Sequence, residues 1–164
     1  MNTVKRMMAA ALALILTLAL TACGGEPAKE APDLKQFYED YMAGLDEENT
    51  PAMMDANEDA SYVDAFFPGL NGVELKQSVL QMAMISAVAY EIDLVECAKE
   101  GDVETVKSIF QARIDNQVNG GAFYPATTEA WEKAELLVNG SVVALIVAGD
   151  QQADVVEAFN ALFA

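Results

Sequence analysis

The sequence contains no histidine. Histidine titrates near neutral pH and is the commonest metal ligand, so its absence excludes Ser-His-Asp triads, histidine general bases and most zinc sites. The sequence also lacks a glycine-rich phosphate-binding loop and a G-x-S-x-G nucleophile motif. These absences favour a function other than catalysis, and no cofactor or catalytic residue is predicted.

Basic residues are scarce. The 164 residues include 9 lysines and arginines against 26 aspartates and glutamates, which gives a net charge of −17. Nucleic-acid binders need a basic surface, so we expect no nucleic-acid partner. The charge also argues against a domain that lies flat on anionic lipid. We interpret the acidity as a solubilising surface; the alternative is that it attracts a cationic partner or calcium.

The N-terminal segment has the three parts of a secretory signal: the bases Lys5 and Arg6, an apolar run over residues 7–20, and small residues that end at Cys23. The run is shorter than the roughly 20 residues that span a bilayer. Leu20-Thr21-Ala22-Cys23 resembles a lipobox, the processing site of bacterial lipoproteins. The resemblance implies a signal peptide at 1–22, a lipid on Cys23, and a location on the outer, extracytoplasmic face of the cell membrane. The alternatives are a plain signal peptide and an uncleaved anchor.

Only two cysteines are present, Cys23 and Cys97. If Cys23 carries lipid, Cys97 has no partner for an internal disulfide, and its apolar surroundings predict a buried, inert thiol. Residues 23–32 are rich in Gly, Pro, Ala and charge, which is typical of a lipidated flexible tether. Residues 33–164 are enough for a single domain with its own core.

Apolar residues recur at three- and four-residue spacing in several segments, which predicts amphipathic helices. Asp33 and Asp102 are candidate N-caps of two of them. The predicted helices span 33–45, 61–67, 102–118 and 151–163, with a further short helix from Thr127 or Thr128. Trp131 in that short helix has two interpretations: an exposed binding residue, or a side chain that covers the sheet edge, which we favour.

Four strands are predicted, at 81–88, 91–98, 134–138 and 141–148. Around 91–94, Ile92 and Leu94 alternate with Glu91 and Asp93, which predicts one inward face. Asn139-Gly140 predicts a two-residue type I′ hairpin loop. The last strand is apolar on both faces, so we expect it in the middle of the sheet.

These elements predict an α+β fold in the order α-α-β-β-α-β-β-α. Two strand pairs separated by a crossover helix give a four-stranded, mostly antiparallel sheet. Because the helices have single apolar stripes, we expect a two-layer sandwich in which they pack on one face of that sheet.

Asp55, Asn57 and Asp59 match the opening of an EF-hand calcium loop, in which oxygens at positions 1, 3 and 5 converge on the ion. The rest of the loop departs from the pattern, because Ala60 stands at the glycine position and Phe66 at the position of the bidentate glutamate. We therefore predict a solvated acidic turn, with these three residues as weak calcium candidates.

The second half of the chain resembles the bacterial lipoprotein family called domain of unknown function 4358. The segments that carry the resemblance are E-I-D-L-V at 91–95, G-D-V-E-T-V at 101–106, Y-P at 124–125, A-E-L-L-V-N-G at 134–140, residues 142–147 and the closing residues 153–159. The chain differs from the family at Glu96-Cys97, where the family often has a lysine or an aromatic residue. The resemblance implies an envelope lipoprotein of the clostridial, Gram-positive type, and it assigns no activity and no site residue.

Three hypotheses for function follow from the sequence. The favoured one is a non-enzymatic binding or protein-interaction module at the cell envelope, with the membrane reached through the lipid on Cys23 and an envelope protein or cell-wall partner. The second is an envelope hydrolase that uses paired carboxylates, for which two buried acids in one pocket, one with a raised pKa, are the expected sign. The third is an envelope domain stabilised by calcium.

Overall fold

The computed structural model describes residues 31–46, 48 and 50–164. The predicted signal peptide, Cys23 and most of the predicted tether lie outside these residues. The described part forms five α-helices and five strands. The helices are α1 (Leu34–Ala43), α2 (Ala60–Phe66), α3 (Val103–Asn116), α4 (Pro125–Glu132) and α5 (Gln152–Ala161); the strands are β1 (Met53–Asp55), β2 (Leu75–Ala83), β3 (Glu91–Cys97), β4 (Glu135–Asn139) and β5 (Val142–Val147). Within this described part, no helix is both long enough and apolar enough to cross a membrane.

The strands form one sheet in the order β1-β2-β3-β5-β4, and every neighbouring pair is antiparallel. The predicted α+β class and antiparallel sheet are therefore confirmed. The predicted number of strands is wrong, because β1 adds a fifth strand that pairs Met53 with Ala83 and Asp55 with Gln81. Three residues are too few to show an alternating pattern, so β1 could not be predicted from the sequence.

Helices cover both faces of the sheet, so the predicted two-layer sandwich is wrong. The α3 face is covered by α2, α3 and α4, and its core includes Phe67, Phe110 and Trp131. The α1 face is covered by α1 and α5, and its core includes Leu34 and Phe159. The reason lies in β3 and β5, all of whose residues are buried. A strand that is apolar on both faces needs a packing layer on each side.

The first strand of the predicted sheet lies earlier in the chain than expected. We predicted a strand at 81–88, but β2 ends at Ala83 and residues 84–90 form the loop to β3. The segment from Leu75 to Ser78 alternates between half-buried and exposed positions, which is the pattern of a strand. The shift leaves Met84, Ile85 and Val88 on an exposed loop.

The hairpin loop between β4 and β5 has two residues, as predicted, but it lies one residue later in the chain. Asn139 pairs with Val142, so the loop consists of Gly140 and Ser141 and not of Asn139 and Gly140. Gly140 has a φ of 57°, and no residue other than glycine has a positive φ in the described chain. A type I′ turn needs positive φ at both loop positions, whereas a type II′ turn needs it only at the first, where glycine is preferred.

Side-chain caps explain where some helices begin. Oδ1 of Asp33 accepts a hydrogen bond from the Gln36 backbone N–H at 2.9 Å, which confirms Asp33 as the N-cap of α1. Asp102 precedes α3 as predicted, but its side chain makes no capping hydrogen bond. Gln77 of β2 holds the start of α1 against the sheet, because its Oε1 accepts from the Leu34 N–H at 2.9 Å and its Nε2 donates to the Pro32 carbonyl at 3.0 Å.

Candidate functional site

Strand β3 carries three acidic side chains into the interior. Glu91, Asp93 and Glu96 are 2%, 0% and 6% exposed. Because side chains alternate along a strand, Glu91 and Asp93 lie with Val95 on the α3 face, and Glu96 lies with Leu94 on the α1 face. The prediction of one inward face at this strand is therefore wrong, since the face that carries the acids is buried as well.

Arg113 of α3 reaches down to Glu91 and forms a bidentate ion pair. Its Nε donates to Oε1 at 2.9 Å, and its Nη2 donates to Oε2 at 2.8 Å. The side chains are 11% and 2% exposed, so the pair is largely removed from water. Two parallel charge-assisted hydrogen bonds fix the guanidinium in one orientation. They also offset part of the cost of burying both charges.

Three aromatic rings surround the Arg113 guanidinium. Its Cζ lies 5.2 Å from the ring centres of Phe66 and Trp131, and 6.0 Å from that of Phe67. Burial alone would lower the pKa of Arg113, but the hydrogen bonds and the negative charge of Glu91 outweigh it, and the pKa is raised. The guanidinium is therefore a permanent cation, and the ring faces stabilise it through cation–π contacts.

Asp93 lies two residues along β3 and is completely buried. Neither oxygen of its side chain has a hydrogen-bonding partner. Burial raises the pKa of Asp93 well above its ordinary value, and the neighbouring Glu91 carboxylate raises it further, while Arg113 opposes the shift. An unpaired carboxylate in such a place would be very costly, so burial favours the neutral, protonated form of Asp93.

A surface cleft of about 310 Å³ opens above the Arg113–Glu91 pair. One wall is the loop over residues 84–90, and the other is the π-helical turn Gln117–Gly121 that follows α3. Phe66, Met82, Glu91, Arg113 and Trp131 line its interior. The two bonds to Glu91 use Nε and Nη2 of Arg113, which leaves Nη1 able to donate to a ligand. Ser86 and Gln117 also line the cleft, and their side chains can donate hydrogen bonds as well.

Large apolar side chains are exposed on the loop wall of this cleft, and another follows the second wall in the chain. Met84 and Ile85 are 65% and 60% exposed on the loop. Beyond the other wall, Phe123 is 82% exposed and packs edge-to-face against Tyr124 at 5.6 Å. Scattered apolar residues on a surface are ordinary, but a group of large ones that borders a cleft marks a place where another molecule can bind.

The structure places the calcium candidates in local turns. Oδ1 of Asp55 accepts from the backbone and side-chain amides of Asn57 at 2.8 and 2.9 Å. Oδ1 of Asp59 accepts from the Ser61 N–H at 2.8 Å and caps α2. The Asn57 Oδ1 accepts from Ser78. These oxygens have separate structural uses, and no group of three acidic or cysteine side chains in the described chain is placed to hold a metal ion.

Two other sequence predictions can be compared with the structure. Cys97 is 1% exposed and unpaired, so the predicted burial of its thiol is confirmed, and burial raises the pKa of that thiol. Trp131 is 4% exposed, so it is a buried residue and not the exposed binding residue of the first interpretation. Its ring nevertheless forms part of the cleft wall beside Arg113.

The Glu91–Arg113–Asp93 cluster was not predicted from the sequence. The two acids alternate with Ile92 and Leu94, which is the pattern of a strand with one wet face. A single arginine among the exposed positions of α3 gave no sign of pairing. One signal was present, because β5 is apolar on both faces and so lies in a sheet that is covered on both sides. A strand next to β5 is then buried on both faces too, and acidic side chains on such a strand need a buried partner.

These features define an α+β domain whose five-stranded antiparallel sheet buries a charged cluster beneath a surface cleft. The chain belongs to the family described as Domain of unknown function (DUF4358), whose sequence model matches residues 47–148. The match confirms the family resemblance and spans the whole sheet and the cleft, while the resemblance at 153–159 lies beyond it. No curated protein and no solved structure matches the chain.

Proposed function

We propose that this chain is a bacterial lipoprotein of the clostridial type, held on the outer face of the cell membrane by a lipid on Cys23, and that its domain is a non-enzymatic module that binds an envelope protein. The anchor rests on Leu20-Thr21-Ala22-Cys23 and the apolar run before it. The binding role rests on one observation, the cleft above Arg113 with exposed apolar side chains on its loop wall.

The chemistry of the cleft indicates the kind of group it receives. Glu91 balances the charge of Arg113, so the cleft has no excess positive charge to select an anion. What it offers is apolar surface together with polar groups, among them the Nη1 donor of Arg113. An apolar segment of a protein, with a backbone carbonyl that accepts from Nη1, satisfies both features. Arginine and aromatic side chains are also the residues most often found at the centre of protein interfaces.

The same buried acids bear on the alternative of a carboxylate-based hydrolase. Two adjacent buried acids, one with a raised pKa, resemble the acid–base pairs of glycan hydrolases. Asp93, however, has no exposed surface that a substrate could contact, and both oxygens of Glu91 accept hydrogen bonds from Arg113. We therefore favour a structural role for the two acids and a binding role for the cleft.

Site-specific photo-crosslinking in intact cells that produce the full chain tests this proposal. A photoreactive amino acid replaces Ile85 at the cleft wall in one variant and Lys35 in the other. Lys35 is a matched control, because its side chain is 78% exposed on α1, on the other face of the sheet.

We expect a discrete product of higher mass from position 85 and not from position 35, and digestion with protease should remove the added mass. A product from position 85 that resists protease but is removed by a muramidase would identify a cell-wall partner in place of a protein. No product from position 85, or equal products from both positions, would contradict the proposal.

A further inference from the structure

Strand β4 (Glu135–Asn139) is the last strand of the sheet and pairs on one side only, with β5. We propose that an extended, cationic segment of a partner protein pairs with the free side of β4 and becomes a sixth strand, beside the groove that β4 forms with α3. This goes beyond the proposed cleft function, because it concerns a different surface and a different mode of recognition.

The hairpin geometry determines which backbone groups of β4 are free. In a hairpin closed by two residues, the pair that flanks the loop is hydrogen-bonded, and the hydrogen-bonded pairs then alternate. Asn139–Val142, Leu137–Ala144 and Glu135–Ile146 are therefore the bonded pairs in this register. The N–H and C=O groups of Leu136 and Val138 point away from β5, and none of them bonds to another backbone group of the described chain.

The free side of β4 lacks the features that usually protect a sheet edge. The strand reads Glu-Leu-Leu-Val-Asn, so it has no proline and no lysine, and its one charge is at its first residue. Its pairing with β5 shows no bulge, and Val138 is 44% exposed. The opposite edge strand, β1, differs because it is only three residues long and leads directly into the capped turn at Asp55.

A shallow groove of about 370 Å³ adjoins this edge. Leu136 forms its floor, and Glu104, Ser108, Gln111 and Asp115 of α3 form its side. Residues 104 and 113 are nine positions apart, which is two and a half helical turns. The groove residues and Arg113 therefore lie on opposite sides of α3. A groove between an edge strand and a helix is the geometry in which an added peptide strand binds through its backbone and is selected through its side chains.

Charge determines which occupant we assign to the groove. Its charged residues are Glu104, Asp115 and Lys107, and Lys107 is already paired with Glu104 at 2.8 Å. The groove is therefore weakly acidic and lies on a chain of net charge −17. A second copy of this chain would bring an equal negative charge to the same edge, and like charges oppose association. A basic segment is favoured for the same reason.

Hydrogen–deuterium exchange on the purified full chain tests this inference. The probes are a short peptide of alternating valine and lysine, and a matched peptide with glutamate in place of lysine. We expect the lysine peptide to slow exchange in residues 135–139 by about tenfold, with no protection at α5 and none from the glutamate peptide. Absence of protection, or equal protection by both peptides, would overturn the inference. Protection that rises with chain concentration alone would overturn it in favour of self-pairing.

Variants of Val138 distinguish strand addition from nonspecific binding of the peptide. Val138→Pro removes one outward N–H but no bond to β5, so it should abolish the protection. Val138→Thr keeps the β-branched shape and both outward groups, and it should keep the protection. If Val138→Pro lowers the melting temperature, Val138→Lys serves instead, because it repels the lysine peptide and leaves the ladder intact. Unchanged protection in Val138→Lys would also contradict the inference.

A loss of photo-crosslinking at position 85 with protection of β4 retained would affect only the cleft proposal.

Discussion

Arg113 and Glu91 form two parallel hydrogen bonds of 2.9 and 2.8 Å across the interface between α3 and the sheet. The pair fixes the position of α3 on β3. Among the described residues that line the cleft, Glu91 and Arg113 are the only charged ones. Loss of one partner leaves a buried charge without compensation, whereas replacement of both partners leaves none. This asymmetry makes the pair testable.

Glu91→Gln should lower the free energy of unfolding by about 3–5 kcal/mol, since it leaves the Arg113 charge buried without its partner. The double variant Glu91→Leu with Arg113→Met should recover most of that loss, because apolar pairs replace buried ion pairs at little cost. Urea denaturation measures both values. Glu129→Gln is the control: it breaks an ion pair whose side chains are both 66% exposed, and it should leave stability unchanged. A double variant less stable than Glu91→Gln would contradict this account.

Asp93 should make stability depend on pH with a definite sign. The pKa of Asp93 is raised in the folded state. The stability that its protonated side chain contributes is therefore fully present below the unfolded-state pKa and is lost as pH rises toward the folded-state pKa. Asn cannot ionise, so Asp93→Asn and the native chain should have the same free energy of unfolding in acid. As pH rises between the two pKa values, Asp93→Asn should become more stable than the native chain by about 1.4 kcal/mol per pH unit. Denaturation at a series of pH values measures the difference, and a difference constant with pH would rule out a raised pKa.

Much of the layout could be predicted from the sequence because its signals are local. The Asp33 cap, the stripe of α3 and the position of β5 in the sheet each depend on residues close together in the chain. The charged cluster could not be predicted, since it depends on a contact between residues 91 and 113, across a helix and a sheet. The second helical layer was missed for a related reason: the apolar stripes of α3 and α5 are alike, and nothing in them states which face of the sheet each one covers.

The hairpin loop gives a test of backbone geometry. Gly140 has a φ of 57°, and a Cβ there would meet no atom within 4 Å, so only the backbone conformation opposes a side chain. Gly140→Ala should therefore destabilise the chain by about 1 kcal/mol. Gly72→Ala is a matched control, because a Cβ at Gly72 also meets open space and no positive φ is present. Equal melting temperatures for the two variants would show that Gly140 is not held at positive φ.

The acidic turn gives a test of the calcium hypothesis. Asp59→Ala removes the cap of α2, so it should lower the melting temperature both in calcium and in EDTA. Asp55→Ala should behave in the same way, since the Asp55 side chain caps the short turn Ala56–Glu58 that follows it. Glu58→Ala, in the same turn, is the control and should have little effect. A melting temperature that rises with calcium in the native chain, but not in Asp55→Ala, would support calcium binding instead.

The anchor is tested by Cys23→Ser in the full chain. Without a thiol no thioether to lipid can form, so the variant should keep its signal peptide or be released from the membrane fraction. Cys97→Ser is the matched control, because it removes the other cysteine, and it should fractionate as the native chain does. A Cys23→Ser chain of native size that stays in the membrane would contradict lipid anchoring.

The most direct measurement of the central claim is the yield of the photo-crosslink from position 85 in the native chain and in the double variant Glu91→Leu with Arg113→Met. Melting curves establish first that both are folded. If the cleft binds an envelope protein through its apolar walls and the Arg113 donor, the native chain gives a discrete product and the double variant gives much less. The same product in equal yield from both chains would show that the partner binds without the Arg113 donor, and no product from either would show that this cleft is not the binding site.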